Sequence, residues 1–216
     1  MIIDCISDLH GSLPKLEGGD LLIIAGDLTS NDSDKSWNAF DEWIHKQNYR
    51  EKILIAGNHD NFLQSIPEHE MWRYWKKVNV TYLCDSGTEF EGLRIWGSPW
   101  TRKFKGMNPK CTAFGLDTEY ELAKKFDLIP NDTNILITHS PPNGILDKGR
   151  EEHLGSTQLS RIVLSRDNLP SLKLHVFGHI HKCGGRILDT GLVKFVNASY
   201  MDEEYKFCNR VVRVIL

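Results

Sequence analysis

Seven side chains able to bind a metal ion stand just beyond short apolar runs: Asp8, His10, Asp27, Asn58, His139, His179 and His181. The runs are rich in β-branched residues and stop at a glycine or a polar residue, which favours buried strands over helices. Met1 to Ser7 leads into Asp8-Leu9-His10-Gly11, Asp20 to Ala25 into Gly26-Asp27, and Lys52 to Ala56 into Gly57-Asn58-His59-Asp60. Asn134 to Thr138 leads into His139 and the rigid pair Pro141-Pro142, and Leu172 to Phe177 into Gly178-His179-Ile180-His181. Five strand ends offering Asp, Asn or His to one neighbourhood imply a metal site. In extended chain, residues two apart point the same way, so Asp8 and His10 are expected to serve one ion side by side. His179 and His181 repeat that spacing, with a turn free to send the two rings to two ions. Gly26, Gly57 and Gly178 are expected to position ligands by letting the backbone turn or approach closely.

Two carboxylates, one amide oxygen and four imidazoles without a thiolate form a mixed set that suits Mn, Fe or Zn better than Ca or a structural zinc. Seven donors are too many for one four-coordinate ion and fit two ions that share a carboxylate. Two ions about 3.5–4 Å apart suit in-line displacement at phosphorus, one lowering the pKa of a bridging water and both holding phosphate oxygens. Two divalent ions less two carboxylates and one hydroxide leave about one positive charge, which attracts an anionic phosphate ester. Hydrolysis of phosphate esters follows more naturally than hydrolysis of neutral amides.

The elements that must position these groups can be read in order. A polar turn, Ser30 to Asp34, caps a helix through about Gln47, with Trp37, Phe40 and Ile44 on one face. Pro67 to Lys77 reads as a second, surface helix carrying Trp72, Tyr74 and Trp75. Thr81 to Cys84, Thr88 to Phe90 and Leu93 to Trp96 read as strands, the last two joined at Glu91-Gly92. Arg102 to Phe114, with Lys103, Lys105, Met107 and Pro109, reads as a loop that shapes substrate choice. Thr118-x-x-Glu121 is a capping box opening a helix to about Phe126, with Tyr120, Ala123 and Phe126 inward. Ser156 or Thr157 caps another to about Leu164, and Arg186 to Asp189, Leu192 to Asn197 and Arg210 to Ile215 give three more strands. Strand and helix alternation followed by hairpins predicts a layered α/β architecture, a mixed sheet pair with helices outside.

At 216 residues, 40% hydrophobic and 25% charged, the chain is expected to form a single domain, 1–216. By size scaling it buries about 70–75% of its unfolded surface. A net charge of -3 offers no basic field for duplex nucleic acid. Five cysteines with no C-x-x-C pair and one left over fit a reduced, cytoplasmic compartment. Met1-Ile2-Ile3-Asp4 enters the first strand without a basic leader, and no long apolar stretch follows, so neither secretion nor membrane spanning is expected.

Asp8-x-His10-Gly11, Gly26-Asp27, Gly57-Asn58-His59-Asp60, His139 and Gly178-His179-x-His181 resemble, in order, the blocks of the calcineurin-like metallophosphoesterase superfamily. The resemblance covers residues 4–181 and implies a β-sandwich of two packed mixed sheets flanked by α-helices. It implies Asp8, His10 and His181 on one ion, Asn58, His139 and His179 on the other, and Asp27 bridging. His59 is similar to the family's non-ligand histidine that contacts phosphate and protonates the leaving oxygen. Asp60 is expected to orient His59 or Asn58. Gly97-Ser98-Pro99-Trp100, Thr138-His139-Ser140-Pro141-Pro142, Leu174 to His181 and Asn197-Ala198-Ser199 resemble the MPPED-type phosphodiesterases. That implies activity on cyclic nucleotides and aryl diesters, with two divalent ions, manganese foremost.

Phosphoprotein phosphatases of the superfamily carry Asp-Arg-Gly where this chain has Ser30-Asn31-Asp32, so the arginine that grips a monoester dianion is lacking. Purple acid phosphatases carry a tyrosine where this chain has Ser30. The same ions would also serve a nuclease, a nucleotide pyrophosphatase or a phosphomonoesterase, and a metal-free scaffold would show lost ligands, of which there are none. Trp100 is a candidate to stack a base or aryl group beside Asn58 and His59, with core packing as its alternative. Lys148, Arg150, Lys103 and Arg102 read as solvated charges, His175 as a hydrogen-bonded core histidine, and His45, His69 and His153 as ordinary histidines.

Overall fold

Side-chain alternation along the strands builds the layers seen in a computed structural model that describes residues 1–77, 79–103, 108–206 and 208–216. The expectations for Lys105 and Met107, and for the side chains of His69 and Trp72, lie outside the described residues. The chain runs β1 (Ile2–Ile6), β2 (Gly19–Ala25), α1 (Asp34–His45), β3 (Tyr49–Ile55), α2 (Asn61–Ser65), α3 (Glu68–Lys77) and β4 (Thr81–Tyr82). It continues through β5 (Ser86–Phe90), β6 (Leu93–Ser98), β7 (Thr101–Arg102), β8 (Gly115–Leu116), α4 (Glu119–Phe126) and β9 (Ile135–Thr138). It ends with α5 (Thr157–Val163), β10 (Leu174–Phe177), β11 (Arg186–Asp189), β12 (Lys194–Asn197) and β13 (Val212–Ile215).

Two sheets form, ordered β13-β1-β2-β3-β4 and β11-β12-β10-β9-β6-β5, and β7 pairs with β8 apart from both. Ile3, Cys5, Leu21, Ile23, Ile53 and Ile55 of the first sheet meet Ile95, Ile135, Ile137, Leu174, Val176 and Val196 of the second in one buried layer. The alternate residues Leu22, Ile24 and Leu54 face outward onto Trp37, Phe40, Ile44, Met71 and Trp75 of α1 and α3. Leu136, Phe177 and Phe195 likewise face Leu122, Phe126, Leu159 and Ile162 of α4 and α5. With helices covering both outer faces, the central strands read as near-continuous apolar runs. Away from the strand ends that carry the donors, buried Asp4 takes two hydrogen bonds from the Arg213 guanidinium, 2.8 and 2.9 Å, and one from Tyr49. That contact ties β13 and β3 to β1.

β1, β2 and β3 are mutually parallel, as are β6, β9, β10 and β12. The C-terminal ends of β1, β2, β3, β9 and β10 therefore deliver the donor-bearing loops. The two sheets meet there, where Ser7 N–H donates to Ala198 O at 2.8 Å and Tyr200 N–H to Ser7 O at 2.8 Å.

Several boundaries differ from expectation. α1 starts on the Ser33 cap and ends at His45, short of Gln47, and β4 keeps only Thr81–Tyr82. The five-residue α2 follows Asp60 with no forewarning in the sequence, being too short to show a period. Thr118 and Glu121 do form the capping box. Tyr120 does not point inward: it is 70% exposed beneath the Lys124 ammonium, and the buried pair is Leu122 and Phe126, one helical turn apart. No described helix is long and apolar enough to cross a membrane.

Candidate metal centre

The donors converge. Asp8, His10 and His181 form one group with ligand atoms within 4.8 Å of one another, and Asp8, Asp27 and His139 form a second. A third, His10, Asp27 and His59, lies beside them. Asn58 Oδ1 is 3.1 Å from His139 Nε2, and Asp27 Oδ2 is 3.3 Å from the same nitrogen. His179 stands at the edge, its ring edge-on to His139 with 5.0 Å between centroids and its Nε2 3.4 Å from Thr101 Oγ1.

The backbone reaches this arrangement through unusual conformations. Asp8, His10, Asp27 and His179 all have positive φ, at 53°, 42°, 55° and 68°. Asp8 and His10 are therefore not two residues of an extended strand, and the expected alternation does not aim them; left-handed turns do. Residues other than glycine avoid this region, so the surroundings must hold them there. The glycines act by absence of bulk. A Cβ on Gly57 would lie 2.2 Å from Asp27 Oδ1, and one on Gly178 would lie 2.2 Å from Asp8 Oδ2.

Hydrogen bonds behind the donors fix their orientation. Asp8 accepts from Ser199 Oγ at 2.6 Å and from the His179 N–H. His139 Nδ1 lies 2.8 Å from Ala25 O and His181 Nδ1 2.8 Å from Asp202 O. A carbonyl only accepts, so both Nδ1 atoms carry hydrogen and both Nε2 atoms turn toward the cluster. The Asn58 amide donates Nδ2–H to Cys111 O at 3.0 Å, which leaves its oxygen facing inward. Asp60 bonds neither His59 nor Asn58 through their side chains, which corrects its expected role. Its buried carboxylate accepts the N–H groups of Asp27, Leu28 and Gly57, at 2.9, 3.0 and 2.7 Å, and locks the β2 and β3 loops together.

This donor set fits metal ions. His139 Nε2 points at Asn58 Oδ1 and Asp27 Oδ2, and His181 Nε2 points at Asp8 Oδ1, 3.2 Å away, and at His10 Nε2, 3.4 Å away. These converging atoms need positive charge among them, either a proton on each raised histidine or a metal ion in its place. The electrostatics agree. Burial alone would depress His139, but Asp27 raises it to about 10, and against burial Asp8 raises His181 to about 9. Burial lowers His10 to about 4 and, with His139 beside it, His179 to about 3, so both are neutral and able to ligate at neutral pH. Although burial works against it, His181 holds the Asp8 carboxyl well below the usual range, and His139 does the same to Asp27.

The cluster opens into a cleft of about 340 Å³ lined by Asp27, Asn58, His59, His179 and His181 with Tyr205 and Leu154. A larger cavity of about 790 Å³ between α3 and β4 contains none of the seven donors. Trp100 is not among the residues lining the cleft. Its Nε1–H donates to Asp85 Oδ2 at 2.7 Å, Lys125 lies over its ring, and its edge packs on Phe114, so the core-packing alternative holds for it. His175 is the expected core histidine, 2.9 Å from Thr138 Oγ1. Arg102, Lys103 and Arg150 pair with Glu119, Asp117 and Glu203. His153 bonds buried Asp147 at 2.6 Å. Tyr205 was not foreseen: its ring lies 4.9 Å from that of His10 and 5.2 Å from that of His181, yet it follows no strand and sits in no motif. Ser199 belonged to a noted motif, but nothing in its spacing announced the bond to Asp8.

The calcineurin-like phosphoesterase profile matches residues 1–183, a span that includes every donor. Over 230 residues the chain is 34% identical to metallophosphoesterase domain-containing protein 1 of Homo sapiens, covering 95% of this chain and 68% of that one. It is 33% identical over 218 residues to a probable rhamnogalacturonate lyase C of Emericella nidulans, covering 96% of this chain and 20% of that much longer one. A solved structure from Thermus thermophilus superimposes with a TM-score of 0.58 at 16% identity, covering 91% of this chain and 88% of that one. A putative 5'-nucleotidase from Staphylococcus aureus superimposes with a TM-score of 0.53 at 10% identity, covering 99% and 53%, and these two establish the shared fold. Sequence profile, relatives and two-sheet sandwich agree that this chain belongs to the calcineurin-like phosphoesterase family, a family of metal-dependent hydrolases.

Proposed function

We propose that the chain hydrolyses small phosphodiesters, cyclic nucleotides or aryl diesters among them, with two divalent metal ions. The observation that carries this reading is the convergence of His139 Nε2, His181 Nε2, Asn58 Oδ1 and the Asp8 and Asp27 carboxylates on one spot, each fixed from behind by a hydrogen bond or a buried neighbour. Asp8, His10 and His181 would hold one ion, Asn58, His139 and His179 the other, with Asp27 between them. The mixed nitrogen and oxygen donors suit manganese first, and iron or zinc next. When bound, the ions supply an activated water and polarise the phosphoryl oxygens.

The protein's own groups do the rest. His59 lines the cleft, and its side chain, at 19% exposure, is more open than those of His10, His139 or His181. Its N–H bond of 2.9 Å to Asp27 Oδ1 fixes the backbone, which leaves the ring to contact phosphate and pass a proton to the leaving oxygen. Preference for a diester rests on charge. The Ser30-Asn31-Asp32 turn spends its polar groups on Ser33, Ser36 and Asn61 and presents no cation to a second phosphate charge. A cleft of about 340 Å³ suits a small ester, and lining charges of both signs, Lys182 and Glu203, do not make the basic groove of a nuclease. Five free cysteines support a reducing, cytoplasmic setting.

The test compares bis(4-nitrophenyl) phosphate with 4-nitrophenyl phosphate on protein loaded with Mn, Fe or Zn. We expect diester turnover to exceed monoester turnover and to vanish in Asp27→Asn and His181→Ala. A fully metallated protein inert toward diesters, or wild-type turnover in both variants, would overturn the proposal. A panel of 2′,3′-cyclic, 3′,5′-cyclic and linear diesters then identifies the preferred ester.

A further inference from the structure

Tyr205 occupies an unusual position for a tyrosine. It is 55% exposed, yet its ring is edge-on to His10 at 4.9 Å and 73°, edge-on to His181 at 5.2 Å and 80°, and 6.3 Å from the ring of His59. Three histidines of the cluster thus fix one aromatic ring at the mouth of the cleft. Its backbone φ is 57°, a conformation a bulky side chain adopts only when it is held there. The turn around it supplies the restraint. Asp202 Oδ1 accepts from Glu204 N–H at 3.0 Å and Lys206 N–H at 2.8 Å, and Asp202 O accepts from Tyr205 N–H at 3.1 Å. That same carbonyl lies 2.8 Å from His181 Nδ1, so one peptide group orients both a metal-facing histidine and the tyrosine. Leu154 lines the same cleft and contributes a second apolar surface, 47% exposed.

We propose that Tyr205, with Leu154, forms an aromatic subsite that selects phosphoric esters bearing a planar aromatic substituent. The inference rests on the phosphodiesterase reading of the same cleft and adds the residue that reads the organic part of the ester. A flat substituent laid on the open side of the Tyr205 ring is removed from water while its phosphorus end stays among the cluster histidines. Stacking of this kind is sequence-tolerant, because every aryl group or base has a π-face. The phenol hydroxyl is not needed, since the interaction uses the ring.

Diphenylphosphinate and dimethylphosphinate carry the same single charge and cannot be hydrolysed, so calorimetric titration of manganese-loaded protein isolates binding from turnover. Wild-type protein is expected to bind the diphenyl compound about tenfold or more tightly than the dimethyl compound. Tyr205→Phe keeps that ratio. Tyr205→Asn, whose side chain tolerates left-handed backbone, reduces it to about threefold or less with metal content and melting temperature unchanged. Absence of a preference in wild type, an undiminished preference in Tyr205→Asn, or equal loss in Tyr205→Phe overturns the assignment. A protein that binds with this preference but hydrolyses no diester refutes the proposed activity and leaves the subsite standing; hydrolysis without the preference does the reverse.

Discussion

At the scale of single residues, the site gathers carboxylates and imidazoles for which protons and metal ions compete. His59 is the cluster histidine whose removal should slow chemistry without emptying the site, because it lies outside both proposed ligand sets and only packs edge-on against His10, 4.6 Å between ring centroids. We expect His59→Ala to lower kcat by about 100-fold with two metal ions still bound, measured by elemental analysis alongside turnover; loss of both ions would mean that it ligates. The raised histidines also set a pH dependence. His139 and His181, raised to about 10 and about 9 in the fold against about 6.5 unfolded, bind protons more tightly when folded. Their contribution to stability is complete below pH 6.5 and is lost as pH rises through 9 to 10. Asp60, pushed up to about 8 by burial and by Asp27, acts in the same direction. His10 and His179 are depressed and act only below that window. In a chelator, the melting temperature should therefore fall steadily from pH 6.5 to 9.5, and metal-loaded protein should resist the fall because ions replace the protons. A flat profile in the chelator would refute this account. That these seven residues would gather was legible, since Asp, Asn and His after β-branched runs have few other uses in such numbers. How Asp8 and His10 are aimed was not, because a positive φ leaves no trace in spacing, and Tyr205 was hidden because its turn is far from every strand end that drew notice.

At the scale of elements, the parallel strands and their glycine exits matter most. Gly178→Ala would push a methyl group to 2.2 Å from Asp8 Oδ2 and 2.1 Å from Ser7 Oγ, both anchored in the sheet seam. The expected cost is about 1–3 kcal/mol of stability by chemical denaturation, together with weakened metal binding; wild-type values for both would show that the loop yields freely. Buried strands were readable because helices cover both outer faces and make them apolar throughout. Element ends were read less well. Leu172 to Phe177 shortened to Leu174–Phe177 and Arg210 to Ile215 to Val212–Ile215, since apolar residues run on into loops that are also buried or half-buried. The inward face of α4 was misread because Tyr120 is apolar enough to pass for core, while the Lys124 ammonium gives it an outside partner.

For the whole molecule, the layered class was visible in the order of elements, whereas the sheet order was not. β13 pairs with β1, joining Ile2 to Ile215, and no local pattern encodes a contact spanning the chain. The Arg213 fork on buried Asp4 secures that pairing at a distance from the donors. Arg213→Met keeps the apolar stem and removes the fork. We expect the melting temperature to drop by about 5 °C with kcat unchanged, and a comparable loss of activity would mean that this corner communicates with the site. The left-handed backbone at Asp8, His10, Asp27 and His179 has a consequence for the evolution of such a chain. Asparagine or glycine would sit more comfortably at each of those four positions. Laboratory selection for heat resistance alone, with no demand for turnover, would therefore discard the ligands first, trading catalysis for a more relaxed chain.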